Sequence, residues 1–366
     1  MIESPKVVFY ISGHGYGHAT RQITIMNRLK QRLAEITIMI RSSAPRWLFE
    51  NNLKCEFQFH AVKTDVGVVQ KDSLHLDKKE TLRQAADFFG NVEELIEGEV
   101  EVLRRTRVDL IVGDIPPLAF EVASRLKVPG IAISNFSWDW IYAPYVEEYP
   151  EYASIIELIR EGYSRAELLL RLPFHGDTSA FRQVQDIPLV GRKSTVSREE
   201  TQRRYNLPSG KKYVLLSFGT YGLKEFDFDE IEKLNDYFFI ATFMLETSYK
   251  NLLCLRGHDL AHEDLVAACD VVITKPGYGI VAESLINRTP ILYTSRGDFA
   301  EYPELVKGLQ RYGHSLFIPN DDFLNGNWGD YLETLLEKEF QWPEIDFSGD
   351  AKAADLLLEK LKEKDQ

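Results

Sequence analysis

The sequence predicts an α/β protein of two halves, each a parallel sheet wrapped by helices. Three observations predict it. Strand-like apolar runs alternate with stretches of helical period, and the alternation stops once and restarts. The pause, LPFHGDTSAFRQVQDIPLVGRK, is rich in turn residues, and glycine clusters directly follow strands in both halves. A length of 366 residues suits two domains, each with its own core.

The elements follow in order. VVFYIS reads as a buried strand, and HATRQITIMNRLKQRL as a helix with Ala19, Ile23, Met26 and Leu33 at helical spacing. ITIMI is a second strand, and one long helix is expected over roughly 79–105. VDLIVGD is a strand, and PPLAFEVASRL a helix whose opening prolines lose no hydrogen bond. GIAISN is the next strand. After the pause come the strands YVLLSFG and YFFIATF, the short helix HEDLVAACD, the strand VVITK, the helix GIVAESLINR and the strand PILYTS. DAKAADLLLEKLKEK closes as an amphipathic helix. The expected division is 1–180, 181–348 and a last helix over 349–366.

Composition narrows the functional classes. A net charge of -13 argues against a broad basic face for nucleic acid. It leaves room for an anionic small ligand, which helix-start N–H groups bind locally. Cys55, Cys254 and Cys269 are widely spaced and suggest neither a disulfide framework nor a CxxC metal site, as expected of a reducing, cytoplasmic setting. MIESPKVVFYIS lacks the basic segment and cleavage site of a signal peptide. FFIATFML is too short to span a bilayer, and membrane association is not indicated.

Ligands of open parallel sheets bind beyond the carboxyl ends of the strands. Six loops occupy such positions: GHGYGH, DIPP from Asp114, NFSWDW from Asn135, GTYG from Gly219, KPGYG from Lys275, and SRGDFAEYPE from Ser295. In KPGYGIVAE, Gly277 and Gly279 flank Tyr278 and let backbone approach a ligand at a helix start. Glu283, one turn on, suits ribose hydroxyls; a tight turn with a solvated glutamate fits the spacing equally. GHGYGH departs from the dinucleotide fingerprint, because His18 stands where its last glycine belongs. His18 opens a helix whose dipole disfavours imidazolium, so a neutral ring there suits a general base, with Asp114 to orient it. The competing reading is a histidine that caps its helix. The pairs His14/His18 and His258/His262 lack the H-E-x-x-H arrangement, so no metal site is expected. Asp227-Phe228-Asp229 reads as an exposed loop or helix start. WDWIYAPYVEEYPEY suits sugar stacking, a membrane surface or helix packing.

KPGYGIVAESLINRTPILYTSRGDFAEYPE, preceded by HEDLVAACDVVIT, resembles the donor half of GT-B glycosyltransferases of the MurG-like and diacylglycerol glycosyltransferase group. GHGYGHATR, VGDIPPLAFEVA, SNFSWDWIYAPY, RLPFHGDTSAFR and DIPLVGRK resemble the glycosyltransferase-like domain that precedes the kinase in plant L-arabinokinase, and its stand-alone bacterial relatives. The resemblance implies a GT-B architecture, a UDP-sugar co-substrate, a hydroxyl acceptor and inverting transfer without a metal. It implies that the last helix crosses back to the first domain. It places catalysis on His18 and Asp114, and donor binding on Gly15, Gly17, Gly219, Thr220, Lys275, Gly277, Tyr278, Gly279, Glu283, Asp298 and Glu301. His14, Asn135, Trp138 and Asp139 fall on the acceptor side. Two departures stand out. Ala19 and Thr20 follow a GHGYGH loop where the MurG-like group has GGTGGH and then proline, and GDFAEYPE replaces the usual Asp-Gln end of the donor loop. The sugar-kinase phosphate loop is absent from this sequence. A non-catalytic nucleotide-sugar-binding module, and an epimerase or hydrolase of the same fold, are the alternatives.

Overall fold

The computed structural model describes residues 4–71, 75–219, 226, 228–243, 248–255 and 260–363. The chain divides into two units, one of residues 4–69, 77–190 and 346–363, the other of 70–76 and 191–345. The first unit contains β1 (Lys6–Ile11), α1 (Gly17–Arg32), β2 (Thr37–Ser42), α2 (Arg46–Asn52), β3 (Phe57–Ala61), α3 (Lys78–Gly90), α4 (Val92–Thr106), β4 (Leu110–Asp114), α5 (Leu118–Leu126), β5 (Gly130–Ser134), α6 (Trp138–Glu148), α7 (Ser154–Ser164), β6 (Leu168–Arg171) and β7 (Val184–Asp186). Its seven described strands are all parallel and run in the order β3-β2-β1-β4-β5-β6-β7.

The second unit contains α8 (Arg198–Arg204), β8 (Lys212–Ser217), α9 (Phe228–Glu232), β9 (Tyr237–Ala241), β10 (Leu252–Cys254), α10 (His262–Ala268), β11 (Val271–Thr274), α11 (Tyr278–Asn287), β12 (Ile291–Tyr293), α12 (Glu301–Tyr312), β13 (Ser315–Phe317), α13 (Asn320–Leu324) and α14 (Gly329–Glu337). Its six described strands are also parallel, in the order β10-β9-β8-β11-β12-β13. The chain then returns to the first unit as α15 (Gly349–Glu363).

Sheets covered on both faces need strands that are apolar throughout. β4 and β5 are buried at every position, and β11 likewise. Val8, Tyr10, Met39 and Ile111 pack one face of the first sheet against Val100 and Leu103 of α4 and Leu118 and Val122 of α5. Phe218, Phe239, Phe323 and Trp328 centre the core of the second unit. α15 packs on α1 through the fully buried Ala353, Ala354 and Leu357, with Arg28 Nε 2.9 Å from Asp350 Oδ2.

Two local differences from the sequence reading have physical causes. The single helix expected over 79–105 is two, because Asn91 turns its side-chain amide back to the Asp87 carbonyl at 2.8 Å and ends α3 there. The first unit extends to Val190, past the boundary expected at 180, because β7 adds to the edge of its sheet. In both sheets the strand order reverses direction beside the first strand of the unit, between β1 and β4 and between β8 and β11. Such a switch point opens a crevice at the carboxyl ends of the strands.

Candidate active site

At the switch point of the first unit, Ile11 of β1 pairs in register with Asp114 of β4. The loop after β1 turns tightly: a side chain on Gly13 would lie 2.0 Å from Ser43 Oγ, and Gly15 adopts φ +73°. α1 then begins with neither a side-chain cap nor an acidic residue in its first turn. His18 is its second residue and is nearly buried, at 6% exposure.

Asp114 is fully buried and receives four donors. His18 Nδ1 lies 2.8 Å and Arg21 Nη2 2.5 Å from Oδ1; Arg21 Nε lies 2.6 Å and Gln22 Nε2 2.8 Å from Oδ2. A carboxylate only accepts, so the network assigns a proton to His18 Nδ1; when the ring is neutral, Nε2 is its acceptor. Burial pushes the Asp114 carboxyl up, but Arg21 and then His18 outweigh it and hold it at about 2. Arg21 also donates to Asn135 Oδ1 at 2.8 Å and to Ser134 Oγ at 3.1 Å, tying α1 to the end of β5.

Aromatic rings wall this network. Phe136 meets the His18 ring edge-on at 5.4 Å, and Trp138 lies 6.4 Å away. Trp138 has no exposed surface; its indole N–H donates to Asp65 at 2.9 Å and its ring stacks on Tyr142 at 5.6 Å. The Tyr142 hydroxyl donates to the Gly67 carbonyl at 2.7 Å, and the Val68 N–H to His14 Nδ1 at 3.3 Å. These bonds pin the segment after β3 onto the site. Of the residues expected on the acceptor side, Asn135 holds Arg21, Trp138 lies in the internal wall, and Asp139, 1% exposed, faces Arg160 at 2.9 Å.

In the second unit, Gly219 follows β8 with φ +67°; Thr220 lies outside the described residues, as do Tyr221, Gly222, Asp227 and His258. β11 ends at Thr274, in register with Ser217 of β8, and Lys275 follows, its Nζ donating to Gln70 Oε1 at 3.2 Å. Gly277 caps α11 in extended conformation without a side-chain cap, and Tyr278 and Gly279 form the first turn, which carries no acid. Orphan N–H groups at such a start favour an anion. Arg296 adds a cation beside it: its Nη1 lies 3.8 Å from where a Gly277 side chain would begin and donates to the Pro276 carbonyl at 3.2 Å. Glu301, expected at the sugar, is 3% exposed and pairs with Arg296 at 2.9 Å, whose guanidinium stacks on Phe299 at 3.9 Å. Asp298 is exposed.

Glu283 is neither solvated nor open. It is 3% exposed; Arg192 Nε lies 2.6 Å from Oε1 and His262 Nδ1 2.7 Å from Oε2. Burial pushes its carboxyl up, and Arg192 and His262 together bring it below the usual range. His262 Nε2 lies 3.1 Å from Ser217 Oγ at the end of β8. Each switch point thus carries a buried carboxylate shared between an imidazole Nδ1 and a guanidinium. Arg21, Asp65, Arg192, Ser217 and Arg296 escaped the sequence reading, and His262 entered it only as half of an unlikely metal pair. Among the described residues no group of three or more His, Cys, Asp and Glu is arranged to hold a metal, and no helix is long and apolar enough to cross a membrane.

Residues 5–156 match the family model described as glycosyl transferase family 1. L-arabinokinase of Arabidopsis thaliana is 31% identical over 345 residues, covering 89% of this chain; the chain spans 31% of that relative's length. Among solved structures, UGT89C1 of Arabidopsis thaliana in complex with UDP superposes with a TM-score of 0.61 at 14% identity, covering 98% of this chain and all of the other. A putative UDP-N-acetylglucosamine 2-epimerase from Listeria monocytogenes gives 0.58 at 12%, covering 99% and 97%. Two parallel-sheet units, each turning at its own switch point, give the chain a GT-B glycosyltransferase-like fold.

Proposed function

We propose that the protein transfers a sugar from a nucleotide donor, UDP by the likeness of the fold, to the hydroxyl of a small acceptor, with inversion and without a metal. The observation that carries this reading is the His18–Asp114 contact at the first switch point, which orients the ring so that Nε2 serves as the acceptor in its neutral form. Nε2 takes the acceptor's proton as the hydroxyl oxygen bonds to the anomeric carbon; the bond from that carbon to the diphosphate oxygen breaks, and the nucleoside diphosphate leaves with the electron pair. Direct attack of this kind inverts the anomeric centre. In the second unit, the orphan N–H groups at Gly277–Gly279, with Lys275 and Arg296, suit the negative charge that develops on the diphosphate. Glu283 acts here by holding Arg192 and His262 in place.

The test is nucleotide release from a panel of nucleotide sugars, with and without candidate hydroxyl acceptors, and with a chelator present. Acceptor-dependent release and a new glycoside are expected, unchanged by chelation. The similarity to an epimerase favours a second reading, in which release accompanies an altered free sugar. Tight binding of every donor without release supports a non-catalytic module and overturns transfer.

A further inference from the structure

We propose that Arg21 is a positioning residue that cancels the carboxylate charge behind His18, so that the ring is presented as a neutral base and not as an imidazolium. The inference deepens the transfer reading and rests on it for its meaning, though its central measurement does not.

A histidine backed by a bare buried carboxylate has an anion to support its protonated form. Protonation fills the ring's acceptor nitrogen, so that support works against a base. Here the carboxylate is shared. Arg21 clasps both oxygens of Asp114 in a fork, with Nε at 2.6 Å from Oδ2 and Nη2 at 2.5 Å from Oδ1. Nη2 also comes within 3.1 Å of His18 Nδ1, the nitrogen that already carries the proton directed at Asp114. A permanent cation at that distance repels a second positive charge on the ring. Asn135 and Ser134 hold the guanidinium in place from the end of β5, and Gln22 completes Oδ2. With Arg21 3% exposed and Asp114 fully buried, solvent screens the pair little.

The charged and titratable groups around the ring are Arg21 on its own helix, Asp114 from β4 and Asp65 from the segment after β3. Phe136 and Trp138 add carbon beside the ring. Asp65 is buried, bonded to Ser12 and Trp138, and burial pushes its carboxyl up. Arg21 is the cation among these groups and the one that touches both Asp114 and the ring.

The experiment follows the His18 ring proton by NMR across pH in the full chain, with H18Q to assign the signal. In Arg21→Met, Asp114 is left without its counter-charge, and protonation of His18 should move up by roughly one to two pH units. Arg21→Met with Asp114→Asn removes both charges together, a change buried pairs tolerate better than loss of one partner. That double variant should titrate close to the unsubstituted protein, and it keeps the test intact where the single variant does not fold. A single variant that titrates like the unsubstituted protein overturns the proposal. So does a double variant that drops by a full unit, since the carboxylate would then have been supporting the charged ring all along. If transfer is observed, the acid limb of its pH profile should move in the same sense as the titration. If no nucleotide sugar is turned over, the transfer reading fails while the titration still decides the role of Arg21.

Discussion

Asp114→Asn is the substitution to which the first unit should be most sensitive. Four donors converge on the carboxylate, two on each oxygen. An asparagine offers one acceptor oxygen and one NH2 group. In either orientation of the amide two donors face another donor, and Arg21 becomes a buried cation without a counter-charge. Removing one partner of a buried ion pair costs about 3–5 kcal/mol. The depression of the Asp114 carboxyl from 3.8 to about 2 corresponds to about 2 kcal/mol of preference for the charged form, so the lower end of that range is the firmer expectation. For a unit of this size the loss lowers the melting temperature by roughly 10 °C. Urea unfolding followed by circular dichroism measures it, with Asp186→Asn as the control. Asp186 sits in a more exposed pair with Arg171, for which a loss below about 1 kcal/mol is expected. If both substitutions cost the same, the convergence on Asp114 carries no special energy and the reasoning is wrong.

Further outcomes follow from the same geometry. Asp114 has a folded value below its unfolded one, so its stabilisation is present above pH 3.8 and is lost as pH falls towards about 2; urea midpoints of the unsubstituted protein should fall across that window more steeply than those of Asp114→Asn. His18→Ala should lower turnover by about 10²- to 10⁴-fold with nucleotide affinity kept, as read by steady-state kinetics and calorimetry; unchanged turnover removes His18 from the chemistry. Gly67→Ala should cost about 2 kcal/mol, because φ is +72° and the new Cβ would lie 2.5 Å from His14 Nδ1; a melt within 1 °C of the unsubstituted protein would contradict it. Burial pushes the Cys269 thiol far up, so it should resist alkylation until the second unit unfolds, as mass spectrometry of pulse-labelled protein would show.

The strands were legible because a parallel sheet covered on both faces demands unbroken apolar runs, and β4, β5 and β11 are such runs. His18 and Asp114 were legible as candidates because Asp114 ends β4 and His18 opens the helix that follows β1, positions at the carboxyl edge of a parallel sheet where a chemical side chain stands out. Arg21 was not. On a helix three residues past His18 it reads as an ordinary solvated base, and only tertiary structure reveals that it turns inward to a partner 93 positions away. Glu283 shows the converse: its position in the loop was readable, but not its burial against Arg192, 91 positions earlier in a stretch that reads as linker. β7 was missed for a related reason. It is a three-residue edge strand, too short and polar for its period to show.

The first unit is discontinuous, and its outgoing and returning segments touch: Leu189 donates to the Asp346 carbonyl at 3.1 Å, and Gly349 to that of Leu189 at 3.3 Å. A side chain on Gly349 would lie 2.1 Å from the Pro188 oxygen. During synthesis, everything through Val190 leaves the ribosome before residues 191–345, the bulk of the second unit, yet α15 emerges after all of it. The exposed flank of α1 must wait uncovered through that interval, a window in which a nascent chain would call on chaperones. The second unit has no such delay and can mature before its host is complete.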